Sequence, residues 1–459
     1  MTVSARGIRH RWVVVISLFF FLAINFADKA VMGLAAEPIM RELHLTHSQF
    51  GRIAASFFTL FSLSSLLVGL LANRIKTRWL LLAMALVWSI SQAPLLLVAT
   101  PGMLIASRVL LGASEGPAYP VAVHALYKWF PDRERTVPSA ILTIGAAFGA
   151  GFVAPLITWV IVSFGWRAAF LSLAAAVLVW SLVWLWAGRE GPLDAPARGG
   201  GTAQATALAA AGASLPARIP MRALLLSRTC MGSNLSGFSA YVILTVATIW
   251  LPSYLVRVAG YSMTQVGWII VLPAFGQMVS APLLGWWSQH LMRRGVSSRQ
   301  ARGTLGGALV VLSGAGLALV PLLPRGPLLI AMVTLAFSLA SFAFTTGVTL
   351  TGEIAPAKQR GGLLGINICI TTLAGLITPA VMGQVIDRAS DPLNGYRTGM
   401  LLAGLFAVAG GLISACLVDP AADRRRFAVQ GAREAFAQKV SNDTRTAAVF
   451  ATDSASPER

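Results

Sequence analysis

The sequence predicts an all-α integral membrane protein with twelve transmembrane helices arranged as two six-helix bundles. Three observations lead there. Hydrophobic residues make up 56% of the 459 positions and charged ones only 12%. Twelve apolar runs recur along the chain, each near the ~20 residues that cross a hydrocarbon core of ~30 Å. Basic residues gather on alternate connections. The 43 glycines fit the same class, because helices in lipid pack through small residues.

Taken in order, the runs are Trp12 to Leu34, Ile53 to Ala72, Trp79 to Ala99, Met103 to Leu126, Pro138 to Val162, Trp166 to Ala187, Cys230 to Val256, Thr264 to Ser288, Leu305 to Leu323, Leu328 to Thr351, Gly362 to Ile386 and Gly399 to Leu417. The first follows Arg6, Arg9 and Arg11 and so resembles a signal peptide, but it is too long for one and ends in Asp28-Lys29, which makes it a retained helix. Connections on the side of the N-terminus hold twenty Lys and Arg, and those on the other side seven. That bias places both termini in the cytoplasm of a multi-pass protein of the inner (plasma) membrane. The net charge of +19 is therefore mostly topology, and anionic lipid rather than nucleic acid is the expected macroscopic partner.

Between the sixth and seventh runs lies an Ala-, Gly- and Pro-rich stretch that reads as a linker. The expected organisation is an N-terminal bundle over 1–188, a cytoplasmic linker over 189–227, a C-terminal bundle over 228–418 and a cytoplasmic tail over 419–459, whose Arg424, Arg425 and Arg426 would rest on the membrane surface. The halves echo each other: Pro131 to Arg135 (PDRER) after the fourth run recurs as Pro356 to Arg360 (PAKQR) after the tenth. Parallel repeats of six describe a transporter architecture with its substrate site at the bilayer midplane between the halves. Cys230, Cys369 and Cys416 lie in separate runs without paired spacing, so neither a disulfide framework nor a zinc site is expected.

Four ionisable residues fall well inside apolar runs: Asp28, Lys29, Arg108 and Glu115. A charge at the bilayer centre costs roughly 2.5–3.5 kcal/mol, so such residues mark function by default. Arg108 and Glu115 are two helical turns apart and share a face, and helix rise brings Asp28 to a similar depth. Two acids beside two bases suit a protonatable switch for an anion: a buried carboxylate holds its charge while a cation is near and takes a proton when a substrate claims that cation. Asp28 and Glu115 are therefore the expected proton carriers, and Lys29 and Arg108 the anion-binding groups. The alternative is a pair of self-neutralised bridges that staple the first and fourth helices.

The stretch RVLLGASEGPAYP from Arg108 to Pro120, then Trp129-Phe130-Pro131, Arg135, Gly165-Trp166-Arg167 and Phe170, resembles the anion:cation symporter family within the major facilitator superfamily, which includes bacterial sugar-acid transporters, vesicular glutamate transporters and sialin. Trp250-Leu251-Pro252 with Tyr254-Leu255 extends the likeness into the second half. The resemblance implies the same fold and the same roles for the four charges. Departures from the family pattern concern the substrate: Lys29 replaces an Arg, Phe61 a Tyr, Ala146 a Gln and Thr372 an Asn. Fewer hydrogen-bonding groups point away from a polyhydroxylated sugar acid and toward a less hydroxylated carboxylate, aromatic or short-chain. Phe61, Tyr241, Asn367, Thr371 and Thr372 complete the candidate binding set, with Asn234 and Gln277 as further polar candidates. Asn73, Arg74, Arg78, Arg135 and Arg360 are the candidate gating residues of the loops, where Asn73 and Gln289 stand in place of the superfamily's usual Asp.

The expected function is proton-coupled import of a small organic anion by alternating access, by a monomer that needs no cofactor or metal. An anion exchanger or exporter of the same fold, and a membrane sensor that does not transport, are the alternatives. An enzyme is disfavoured, since the runs hold no phosphate-binding loop, metal cluster or nucleophile with a paired base.

Overall fold

The computed structural model describes residues 5–72, 75–96, 100–131, 134–193, 218–356 and 359–430. These residues are helical apart from short connections, and no strand occurs among them. Ten helices are each long and apolar enough to cross a membrane. They are α1 (Ala5–Leu34), α3 (Thr77–Gln92, prolonged by a 3-10 turn), α5 (Thr136–Ala147 joined through a π turn to Ala154–Phe164), α6 (Trp166–Ala187), α7 (Arg228–Thr245 joined likewise to Leu251–Arg257), α8 (Met263–Arg293), α9 (Leu305–Leu319), α10 (Pro327–Ala340 with Phe342–Ile354), α11 (Arg360–Arg388) and α12 (Pro392–Leu417).

The two remaining crossings are made in pieces, a feature the apolar runs do not reveal. Helix α2 is His47–Ser56 followed by Phe58–Leu71, and α4 is Pro101–Glu115 followed by Ala118–Tyr127. Pro117 lacks an amide and its ring crowds the preceding turn, which ends the first piece of α4 directly after Glu115. The two breaks are packed on each other: a Cβ on Gly112 would come within 1.8 Å of the Phe57 carbonyl, and one on Gly116 within 2.1 Å of the Phe61 carbonyl. Only glycine permits that approach. Helix α1 is gripped in the same manner by both π turns, Gly149 lying against the Ala23 carbonyl in α5 and Gly33 against that of Thr248 in α7.

We call the face where α1 begins and α12 ends basal, and the opposite face apical. On the basal face, acids that follow the last helix of each half hold the start of the third. Glu190 accepts from the Thr77 hydroxyl and the Arg78 amide at the N-terminus of α3 and pairs with Lys128 at 2.7 Å. Asp419 pairs with Arg299, just before α9, at 3.1 Å. Carboxylates at helix N-termini complement the backbone dipole. The tail begins as a further helical segment over 420–430. Its Asp423 accepts from the Thr229 amide at 2.8 Å, and Phe427 is buried with Ile219, Leu224, Ile354 and Leu363. Arg425 and Arg426 remain exposed, so this part of the tail is tethered to protein by its acid and its aromatic ring.

The halves meet at the apical face. Phe50 and Trp250 are fully buried against each other, and Arg257 pairs with Glu37 at 2.5 Å. Glu42, outside the spans, is held below the usual carboxylate range by the Trp166 indole N–H and then by Arg167. Asp387 of α11 accepts from the amides of His47 and Ser48, at 3.1 and 2.7 Å, and lies 2.8 Å from the His47 ring. One half thus supplies a carboxylate to the first amides of a helix of the other, beside that helix's own Thr46–Gln49 capping box. A carboxylate at a helix N-terminus is worth about 1 kcal/mol, so Asp387→Ala should loosen apical closure about fivefold. A cysteine at Ser48, in a background lacking Cys230, Cys369 and Cys416, should then react correspondingly faster with a membrane-impermeant maleimide. Unchanged labelling would show that the other apical contacts suffice.

Candidate functional site

Helix α1 carries Asn25, Asp28 and Lys29 on adjoining positions of one face. Asp28 is fully buried and accepts from the Gln92 amide of α3 at 3.0 Å through Oδ1, while its Oδ2 has no hydrogen-bond partner. Lys29, next in sequence, turns toward α4. Its ammonium lies 3.3 Å from Oε2 of Glu115, donates to Asn25 Oδ1, and sits over the rings of Phe26 at 4.2 Å and Phe61 at 5.6 Å.

Arg108 and Glu115 stand on the unbroken first piece of α4, whose start is capped by Thr100. Both are buried. The Arg108 guanidinium lies 5.0 Å from the centre of the Phe170 ring of α6, and its Nε and Nη2 have no hydrogen-bond partner. Neither oxygen of Glu115 is hydrogen-bonded, although Lys29 is within ion-pair range: distance allows attraction, but the angle does not make a hydrogen bond. Lys29, with 17% of its side chain exposed, is the one member of the four that reaches open space.

The structure thus brings together the four charges and Phe61. Gln92 and Asn25, which the reading of the sequence passes over, belong to the same cluster; an amide inside an apolar run was the signal for each. The candidates of the second half are distributed differently. Asn367 donates to Asn234 at 2.5 Å, Thr371 lies against Gly237, and Thr372 shares a hydrogen bond with Ser62 of α2, so its hydroxyl joins the two halves. Tyr241 packs edge-to-face on Phe58 of α2, 5.8 Å between centres. Ala146 is buried in α5, and Gln277 of α8 is half-buried.

Among the loop residues, Arg78 donates to the Leu185 carbonyl at 2.7 Å, and Arg135 donates to the Phe130 and Tyr127 carbonyls that close α4 while covering the Tyr127 ring at 4.4 Å. Arg360 opens α11 and is half-buried. Asn73 and Arg74 lie outside the described residues. Gln289 is exposed near the end of α8. No group of three or more metal-ligating side chains occurs among the described residues.

Comparison with known proteins bears on the family and the fold. The chain is 27% identical over 437 residues to a probable sulfoacetate transporter of Cupriavidus necator, covering 92% of this chain and 98% of that protein. It is 25% identical over 430 residues to a D-galactonate transporter of Escherichia coli, covering 90% and 97%. Among solved structures it shares its fold with a bacterial homologue of the human lysosomal transporter Spinster in an inward-facing, unoccupied conformation, at a TM-score of 0.69 and 17% identity over 92% of this chain and 98% of that one. The family model of the Major Facilitator Superfamily matches residues 18–346 and 234–452, and the chain belongs to that superfamily of membrane transporters.

Proposed function

We propose that the protein imports a small organic anion together with protons, by alternating access, across the inner (plasma) membrane. The observation that carries this reading is the buried set of two acids and two bases, with Lys29 alone reaching open space. The charge bias of the connections makes the basal face cytoplasmic, with both termini there, so apical closure corresponds to a carrier shut to the outside. Of the four charges, Lys29 is the one that an anion in the cavity meets first. The anion's charge competes with Glu115 for the ammonium, and a carboxylate whose oxygens lack hydrogen bonds accepts a proton without repacking. Asp28 and Glu115 carry the protons, and Lys29 and Arg108 hold the anion.

Two features support a substrate less hydroxylated than a sugar acid. Ala146 and Phe61 offer no hydrogen bond, and the hydroxyl of Thr372 is already engaged by Ser62. The name of the Cupriavidus relative points to a short anion without hydroxyls; that of the Escherichia relative points to a polyol acid. The arginines Arg78, Arg135 and Arg360 would act at the basal gate as the loops part.

Proteoliposomes given labelled acetate, benzoate, sulfoacetate and galactonate under an inward proton gradient test the reading. Accumulation of at least one anion should collapse when the gradient is dissipated at clamped membrane potential. Uptake that ignores the gradient would refute proton coupling. Glu115→Gln and Asp28→Asn should abolish proton-driven accumulation and spare anion exchange, since an amide at position 28 can still accept from Gln92. Unaltered accumulation in both variants would leave the four charges as structural bridges.

Arg108→Lys should lower transport by about tenfold or more, whereas Lys29→Arg should be tolerated. The planar fork of Arg108 spans Phe170 and retains free donors for two carboxylate oxygens, which a point charge cannot match. Lys29 already serves as a point charge over two rings. A folded Arg108→Lys carrier with wild-type rates would contradict the argument from geometry.

A further inference from the structure

Beside Lys29, five aromatic side chains from four helices form a continuous wall between the halves. The Lys29 ammonium lies over Phe26 and Phe61. From Phe61 the centres step 5.7 Å to Phe58, 5.8 Å across to Tyr241 of the other half, and 6.0 Å to Phe344 of α10. Both steps beyond Phe58 are edge-to-face, the preferred geometry for aromatic pairs. Gly375 of α11 makes room for Phe58: a Cβ there would fall 2.6 Å from the ring.

Burial separates this wall from ordinary interface packing. Where the halves are closed on each other, Phe50 and Trp250 are fully buried. Phe26, Phe58, Phe61, Tyr241 and Phe344 each keep part of their surface open, as does Lys29, although all of them sit between helices deep in the protein. Such surfaces are costly to leave wet and inexpensive to cover with another ring. The polar groups nearby are occupied by one another, Asn234 with Asn367 and Ser62 with Thr372. Lys29, bonded to Asn25 and paired with Glu115, stands at the rim of this edge-presenting wall, whose one polar group is the Tyr241 hydroxyl.

We infer that the anion taken by this site is an aromatic monocarboxylate, its carboxylate on Lys29 and its ring laid against Phe58, Tyr241 and Phe344. This rests on the reading of Lys29 as the anion-binding group and adds the shape of what the anion carries. The Phe61 ring, 5.6 Å from the ammonium, leads to Phe58 at a further 5.7 Å between centres, so a ring carried by an anion held at Lys29 meets the start of this wall. A sugar acid would find along this wall only the Tyr241 hydroxyl for its several hydroxyls and would strand the others against apolar edges.

The test is binding to the full chain purified in detergent, followed by thermal shift and by titration with benzoate, phenylacetate, acetate, sulfoacetate and galactonate. Benzoate or phenylacetate should bind at least tenfold more tightly than the other three. Tyr241→Leu and Phe58→Leu, which keep bulk and remove the ring, should each weaken the aromatic acid about tenfold and so narrow its advantage over acetate, while Tyr241→Phe retains the preference. Lys29→Gln should abolish binding of every anion. Equal or better binding of sulfoacetate or galactonate would overturn the aromatic assignment and leave anion transport at Lys29 standing. Binding that survives Lys29→Gln would overturn both. Should a leucine variant be unstable without ligand, the Tyr241→Phe protein and the relative affinities of the parent for acetate and benzoate decide the question.

Discussion

Electroneutrality inside the membrane is the constraint on which the rest of this structure depends. Isolated ions in a low dielectric cost several kcal/mol each, and the chain meets that cost by drawing two acids and two bases into one cluster. Two consecutive residues of α1 turn to different neighbours, Asp28 to Gln92 of α3 and Lys29 to Glu115 of α4. Helix α4 then ends its first piece at Glu115, where Gly116 and Pro117 break it. Gly112 and Gly116 bring α2 against the break and with it Phe61 beside the ammonium. A change in any one charge therefore alters the support of the other three and the seat of α2.

Helix α2 connects that cluster to the apical closure. Its first amides donate to Asp387 of the opposite half, its break at Phe57 receives Gly112, its Phe61 meets Lys29, and its Ser62 is bonded to Thr372. One element thus touches the closed face, the charges and the far half. Coupling between sites needs an element with two arrangements that both sites bias. A helix in two pieces, pinned by backbone contact at its joint, can tilt one piece without unwinding the other.

Much of this was legible in the residues themselves. The spans follow from apolar length, and the four charges stand out because charge is rare in such runs. Their convergence could be anticipated because seven residues on a helix return to one face and because helix rise sets depth. The breaks were less accessible: Pro117 announces one, but the break at Phe57 arises from tertiary contact with Gly112 and has no local breaker. Gln92 and Asn25 escaped because a neutral amide in a membrane helix usually bonds to another helix, and nothing local says that its partner is a carboxylate or an ammonium. The docking of Asp423 and Phe427 was hidden by the basic residues beside them, which on composition alone belong at a lipid surface.

On the proposed cycle, the same neutrality argument bears on how many protons accompany each anion. A cluster of two positive and two negative charges that admits a monocarboxylate becomes net negative unless one acid is protonated. One proton restores balance and makes the loaded carrier's movement electrically silent. A second makes it carry positive charge inward, where each elementary charge gains about 2.3 kcal/mol per 100 mV of membrane potential. The two acids differ in the way that choice requires. Asp28 has an amide donor on one of its oxygens, while Glu115, beside Asp28 and within the reach of Arg108, is paired most closely with Lys29, the group an anion would claim. In that cycle Glu115 would be the proton site tied to substrate arrival. Because coupling in binding is reciprocal, the proton on Glu115 that an anion promotes also tightens that anion's hold on Lys29, and neither leaves the basal side easily without the other.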